Sequence, residues 1–145
     1  MSQHPRQADL RALVEALVGA GVEFIVVGGG AAVLQGAPTT TLDLDIVHRR
    51  LRPDASLLMG QGQIRLSTDL GPLDPLCRLH DGRGYEELLV HSEVVTDGQI
   101  QIRVIDLPTL IEIKSTTGRS KDKLIVPVLL ALLAERTSEP GREPK

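Results

Sequence analysis

The chain has 145 residues, 41% of them hydrophobic, and a formal net charge of −3, a length that supports one domain with a substantial core. The mild acidity removes any global electrostatic case for nucleic-acid binding and leaves only a local basic patch open. Phe24 and Tyr85 are the only aromatic residues besides histidine, and Trp is absent, so the core must be aliphatic and a base-stacking platform is disfavoured.

Cys77 is the single cysteine, so no intrachain disulfide can form, which fits a reducing compartment. Met1 to Asp9 is polar and lacks the apolar segment of a signal peptide. The longest apolar stretch, Ile125 to Ala134, contains Pro127 and is too short to span a bilayer. The expectation is a soluble, cytoplasmic protein with no membrane association.

In chain order, Leu10, Leu13, Val14 and Leu17 fall at helical spacing over Ala8–Leu17, ending at Gly19 and Gly21. Val22–Val27 is rich in β-branched residues and reads as a buried strand. Gly29–Leu34 reads as a short helix that stops near Gly36 and Pro38, and Leu42–His48 alternates as a second strand. His48–Gly62 is poorly patterned, with a short helix expected after Pro53 up to Met59. Gln63–Ser67 and Leu73–Cys77 read as strands separated by a turn at Gly71-Pro72. Asp97-Gly98 between Ser92–Val95 and Ile100–Ile105 marks a hairpin. Pro108–Ser115 predicts a helix with Asp106 as its N-cap. A last helix is expected from Ser120 to about Glu135, bending at Pro127. The expected organisation is one domain over residues 1–136 and a disordered tail over 137–145, where Pro, Gly and charge concentrate.

Chemistry concentrates between Val26 and Ile46. Val26-Val27 runs into Gly28-Gly29-Gly30, and thirteen residues separate Gly29 from Asp43 in Thr41-Leu42-Asp43-Leu44-Asp45-Ile46. Residues i and i+2 of a strand share a face, so Asp43 and Asp45 should project together. Two adjacent carboxylates repel unless a cation lies between them, and oxygen-only ligation suits Mg²⁺. Glycines let a backbone approach phosphate oxygens closely.

This pattern resembles the nucleotidyltransferases of the DNA polymerase β superfamily, whose signature is apolar-Gly-Gly/Ser, nine to thirteen residues, then Asp-apolar-Asp/Glu-apolar. Val27 to Ile46 is similar, more closely, to small bacterial nucleotidyltransferases that include the AbiEii-type toxins of type IV toxin–antitoxin systems. Lys114 and Gly118-Arg119-Ser120-Lys121-Asp122 match that group's distal motif, and the resemblance covers most of Glu23 to Leu130.

The resemblance implies that Asp43, Asp45 and a third carboxylate, Asp74 or in its place Asp69, bind two Mg²⁺ ions (Mn²⁺ as the alternative) bridging the triphosphate of an NTP. It gives Gly28, Gly29, Gly30, Thr41, Lys114, Arg119 and Lys121 to nucleotide binding. The implied activity is transfer of a nucleoside monophosphate to a hydroxyl acceptor (an RNA end, a protein or a small molecule), with a cognate antitoxin protein as partner if the chain is a toxin. The alternative is a catalytically inactive nucleotide- or metal-binding regulatory or interaction module. The expected fold is α/β (α+β), nucleotidyltransferase-like, with a short mixed β-sheet and helices mainly on one face.

Each feature also has a simpler reading. Asp-x-Asp can lie on a solvated strand edge, the glycines can form a tight turn, and the distal basic residues can be a solvated helix face. A Rossmann site would need Gly where Val33 stands and a parallel strand–helix–strand crossover. Asp74 precedes Pro75 and can cap a turn. His48, His80 and His91 lack metal-ligand spacing to one another, and Cys77 has no assignable histidine partner. Two departures from the group stand out. Thr39 and Thr40 occupy the region where relatives carry Arg. The strand exit His48-Arg49-Arg50 runs into Leu51-Arg52-Pro53 with no room for the helix expected there, which suggests a deletion near Arg50–Leu51.

Overall fold

A computed structural model describes residues 9–41, 43–49, 66–68, 71–117 and 120–138. Helix α1 (Leu10–Gly19) starts at Asp9, whose side chain accepts from the Ala12 amide at 3.1 Å, and buries Leu13 and Val14. Strand β1 (Phe24–Val27) is apolar at every position and buried at every position. Helix α2 (Gly28–Leu34) follows with no intervening loop, and β2 (Leu44–His48) comes next in the sheet. Strands β3 (Leu66–Thr68) and β4 (Gly71–Leu76), helix α3 (Tyr85–Leu89) and the hairpin β5 (Ser92–Asp97) and β6 (Ile100–Ile105) precede helices α4 (Leu107–Thr116) and α5 (Ser120–Ser138).

The six strands form one mixed sheet in the order β3-β4-β2-β1-β6-β5. β1 runs antiparallel to β2 and parallel to β6, while β2 and β4 are parallel. Because β1–α2–β2 returns antiparallel, it is not the crossover of a dinucleotide-binding unit, and the Rossmann alternative fails on topology. Period-two alternation then divides β2 between two environments. Leu44 faces α2, where Gly30 lies close to Leu44 Cδ1 and Val26 Cγ1, and Asp45 takes the opposite face. The core is aliphatic apart from Phe24, centred on Ile25, Val26, Leu44, Ile46, Val104 and Leu110.

Most expected elements are present, with shifted ends. Asp106 caps α4 by accepting from the Thr109 amide at 2.9 Å, and Gly98 (φ +64) turns the hairpin. Gly71-Pro72, expected as a turn, begins β4 instead. α5 continues through Thr137 to Ser138, past the expected end near Glu135. α3 has no counterpart in the sequence reading; five residues are too few to display a helical period. The short helix before Met59, the suggested deletion near Arg50–Leu51 and residues 139–145 lie outside the described residues.

The C-terminal end of α2 is fixed by a buried amide. Gln35 donates through Nε2 to the Ile105 carbonyl at 2.9 Å, and its Oε1 accepts from Arg136 Nη1 of α5 at 2.8 Å. Arg136 also donates to the Gln35 carbonyl, placing a cation at the negative end of α2. No described helix is long and apolar enough to cross a membrane.

Candidate metal and nucleotide site

Three carboxylates converge where β1 ends and β2 begins. Asp43 stands just before β2, Asp45 lies within it, and parallel pairing puts Asp74 of β4 directly beside Asp45. One ligand oxygen from each lies within 4.8 Å of the others. Among the described residues this is the one cluster of acidic, histidine or cysteine side chains with metal-holding geometry. Pro75, the ground for reading Asp74 as a turn cap, is accommodated inside β4 opposite Ile46, beyond the residues that pair with β3.

The glycines serve this cluster by close approach. Gly28 has φ +64, and a Cβ there would stand 2.5 Å from Asp45 Oδ2. A Cβ on Gly29 would stand 2.7 Å from Thr41 Oγ1. That hydroxyl donates to the Asp43 carbonyl at 2.9 Å, so Thr41 fixes the backbone carrying the first carboxylate. Glycine is required at 28 both for its left-handed backbone and for the space Asp45 occupies.

Electrostatically the cluster is a strained one. Asp45 Oδ1 is buried with no hydrogen-bond partner. Burial, first, and then the charge of Asp43 and the hydrogen bond and charge of Asp74 push the Asp45 carboxyl up from 3.8 to about 7, while the charge of Lys114 on α4 opposes the shift. A divalent cation relieves all three causes by supplying an oxygen-seeking charge among the carboxylates. The donor set is all oxygen and includes an orphaned buried atom, so it fits Mg²⁺ or Mn²⁺.

The shift sets a pH dependence. Asp45 binds its proton more tightly folded (about 7) than unfolded (3.8), so its stabilising contribution is complete below pH ~4 and is lost as pH rises through ~7. The metal-free protein should therefore melt at lower temperature at pH 8 than at pH 5.5. At about 1.4 kcal/mol per unit the Asp45 contribution has a ceiling of about 4 kcal/mol. Excess Mg²⁺ should flatten or reverse the trend, because the bound carboxylate is deprotonated. Thermal melts at several pH values with chelator and with Mg²⁺ measure this, and an unchanged profile between the two would refute metal binding by Asp45.

The remaining residues expected at the site divide three ways. Lys114 is half-buried on α4, near enough for its charge to act on Asp45. Lys121 belongs to α5, but its side chain lies outside the described residues, as do Arg119 and Asp69 entirely. No described histidine joins the cluster. Cys77, expected to lack a histidine partner, stands 3.9 Å from Nε2 of the buried His48, whose Nδ1 lies 3.1 Å from the Arg49 carbonyl. Their parallel strands, and nothing in their sequence spacing, bring the two side chains together.

No family model and no curated protein matches the chain by sequence. Solved structures match it by fold. A lincomycin-bound lincosamide antibiotic adenylyltransferase, LnuA, superposes with a TM-score of 0.64 at 14% identity, over 88% of this chain and 99% of that one. A Thermotoga maritima protein assigned to the nucleotidyltransferases gives 0.57 at 19% identity, over 93% and 100%. An antigenic nucleotidyltransferase-like protein from Paracoccidioides brasiliensis gives 0.53 at 12% identity, over 90% and 78%. The chain has a nucleotidyltransferase-like fold, with an acidic triad at the end of its central strands.

Proposed function

We propose that this chain is a Mg²⁺-dependent nucleotidyltransferase that moves a nucleoside monophosphate from an NTP to a hydroxyl acceptor. The observation that carries the reading is the convergence of Asp43, Asp45 and Asp74 around the buried, unpartnered Asp45 Oδ1. Two divalent cations, Mg²⁺ or Mn²⁺, would be held by these three carboxylates and, when bound, supply charge neutralisation for a transferring phosphoryl group. The acceptor oxygen bonds to the α-phosphorus, the bond to the β-phosphate oxygen breaks, and pyrophosphate leaves with that electron pair. The acceptor's proton passes to a carboxylate, which we assign to Asp74. Lys114, Arg119 and Lys121 meet the triphosphate in this reading, and Gly28, Gly29, Gly30 and Thr41 shape its seat.

The structural neighbour that binds lincomycin favours a small hydroxylated molecule as acceptor, and the net charge of −3 weighs against a long nucleic acid. A toxin role, with a cognate antitoxin as partner and the cytoplasm as its place, rests on the sequence resemblance. Thr39 and Thr40, where relatives carry Arg, favour a second reading in which the fold binds Mg²⁺–NTP without turnover.

Two measurements separate these readings. Thermal unfolding with each NTP and Mg²⁺ should show stabilisation of about 2.7 kcal/mol at a hundred times the dissociation constant. Loss of that shift in the Asp43→Asn/Asp45→Asn protein assigns it to the triad. Pyrophosphate release on addition of hydroxyl acceptors then marks an enzyme; stabilisation without release marks a binding module. No shift with any NTP would sink both.

A further inference from the structure

We propose that His48 and Cys77 form a base–thiol pair that makes Cys77 a site of mixed-disulfide formation with low-molecular-weight disulfides. The pair lies apart from the acidic triad. Val47 and Leu76 are partners in the parallel β2–β4 ladder, and His48 and Cys77 are the residues that follow them. Each stands three residues beyond a carboxylate of the triad, His48 beyond Asp45 and Cys77 beyond Asp74. That is about 10 Å along the strands at ~3.3 Å per residue.

The buried partner sets the chemistry. His48 is 3% exposed, and its two ring nitrogens have different neighbours. Nδ1 lies 3.1 Å from the Arg49 carbonyl, which can only accept, so the ring proton sits on Nδ1. Nε2 keeps its lone pair, and its partner among the described residues is the Cys77 thiol, at 3.9 Å. Cys77 itself is only half-buried, so a small molecule can reach it while the base is shielded from water. A nucleophile, a base and a third group that orients the base form the arrangement that activates a thiol, and partial exposure separates a reactive cysteine from an inert core one. In the reaction Nε2 takes the thiol proton as Sγ attacks one sulfur of a disulfide RS–SR. The new Sγ–S bond forms, the old S–S bond breaks, and its electron pair leaves on RS⁻, which takes the proton back from Nε2. The products are the Cys77 mixed disulfide and RSH, with the disulfide as oxidant. Cys77 is the only cysteine of the chain, so no intrachain thiol can displace the adduct, and its release requires an external thiol.

Oxidised glutathione added to the full chain tests this without metal or nucleotide, with intact mass reporting the adduct at the single cysteine. The reference is the peptide Pro75–Leu79, which carries the same thiol beside the same Arg78. At neutral pH the folded chain should form the adduct at least about tenfold faster than the peptide. His48→Asn should bring the rate down to that of the peptide or below, because its amide can still donate to the Arg49 carbonyl but cannot take a proton. His48→Gln removes the base as well and serves if circular dichroism shows His48→Asn to be unfolded. A wild-type chain that reacts no faster than the peptide overturns the proposal whatever the variants do, since His48 and Cys77 would then be packing neighbours only. A fast thiol that stays fast in either folded variant overturns it too.

Discussion

Asp45→Asn is expected to move stability and activity in opposite directions. At pH 8 the wild-type carboxylate is charged in a buried position beside Asp43 and Asp74, and its carboxyl is pushed up to about 7. A neutral amide of the same shape removes that cost and can donate a hydrogen bond to Asp74. The metal-free variant should therefore be more stable than wild type by about 1–3 kcal/mol, several degrees in melting temperature for a chain of this size. At pH 5 the advantage should disappear, because the wild-type group is then itself protonated. Nucleotidyl transfer by the same variant should fall by about 10³ or more, the equivalent of several kcal/mol of lost charge stabilisation. Melts at both pH values and a pyrophosphate assay are sufficient. Destabilisation of the metal-free protein at pH 8 would mean that the three carboxylates are not mutually repulsive as the geometry requires. Sites assembled for chemistry commonly carry such a conflict, and removing it stabilises the fold.

Gly28→Ala should have the larger structural effect. The backbone there is left-handed at φ +64, and the added methyl would stand 2.5 Å from Asp45 Oδ2. Left-handed strain in a non-glycine residue costs about 1–2 kcal/mol, and overpacking adds about 1–3 kcal/mol. The expected loss is about 3 kcal/mol, with Mg²⁺-dependent stabilisation lost as well because Asp45 must swing away. Gly36→Ala is the control: φ is +102, but no atom lies within 4 Å of its Cβ position. It should cost stability yet leave the Mg²⁺ response intact. If Gly28→Ala also keeps that response, the tight fit between Gly28 and Asp45 does not shape the site.

What the amino-acid sequence discloses here follows the range of the interactions. The apolar entry to Gly28, the spacing to Asp43 and the alternation around Asp45 are local features, and they located the end of β1 and the start of β2. Asp106 as a cap and Asp97-Gly98 as a turn are equally local. The adjacency of Asp74 and Asp45 is set by parallel pairing of β4 with β2, which periodicity cannot supply; only the family resemblance pointed to Asp74. The His48–Cys77 contact has the same origin and no such pointer in the sequence. The glycines are legible as special and read as a place of close phosphate approach; within the fold Gly28 also lies against Asp45 and Gly29 against Thr41, while Gly30 lies against Leu44 and Val26. Close packing against a side chain and close approach to a ligand leave the same mark on a sequence.

The Gln35–Arg136 clamp bears on the order in which the molecule can be completed during synthesis. Gln35 waits for an arginine made 101 residues later, and β1 waits for Val104 to gain its parallel neighbour. At about 5–20 residues per second of translation, that interval lasts roughly 5–20 s. For much of it the glycine turn, Asp43 and Asp45 have already been made, in a nascent chain whose sheet still lacks β6 and β5. The acidic triad is thus translated early and locked late, and the emerging polypeptide carries its chemistry before it has the scaffold to aim it.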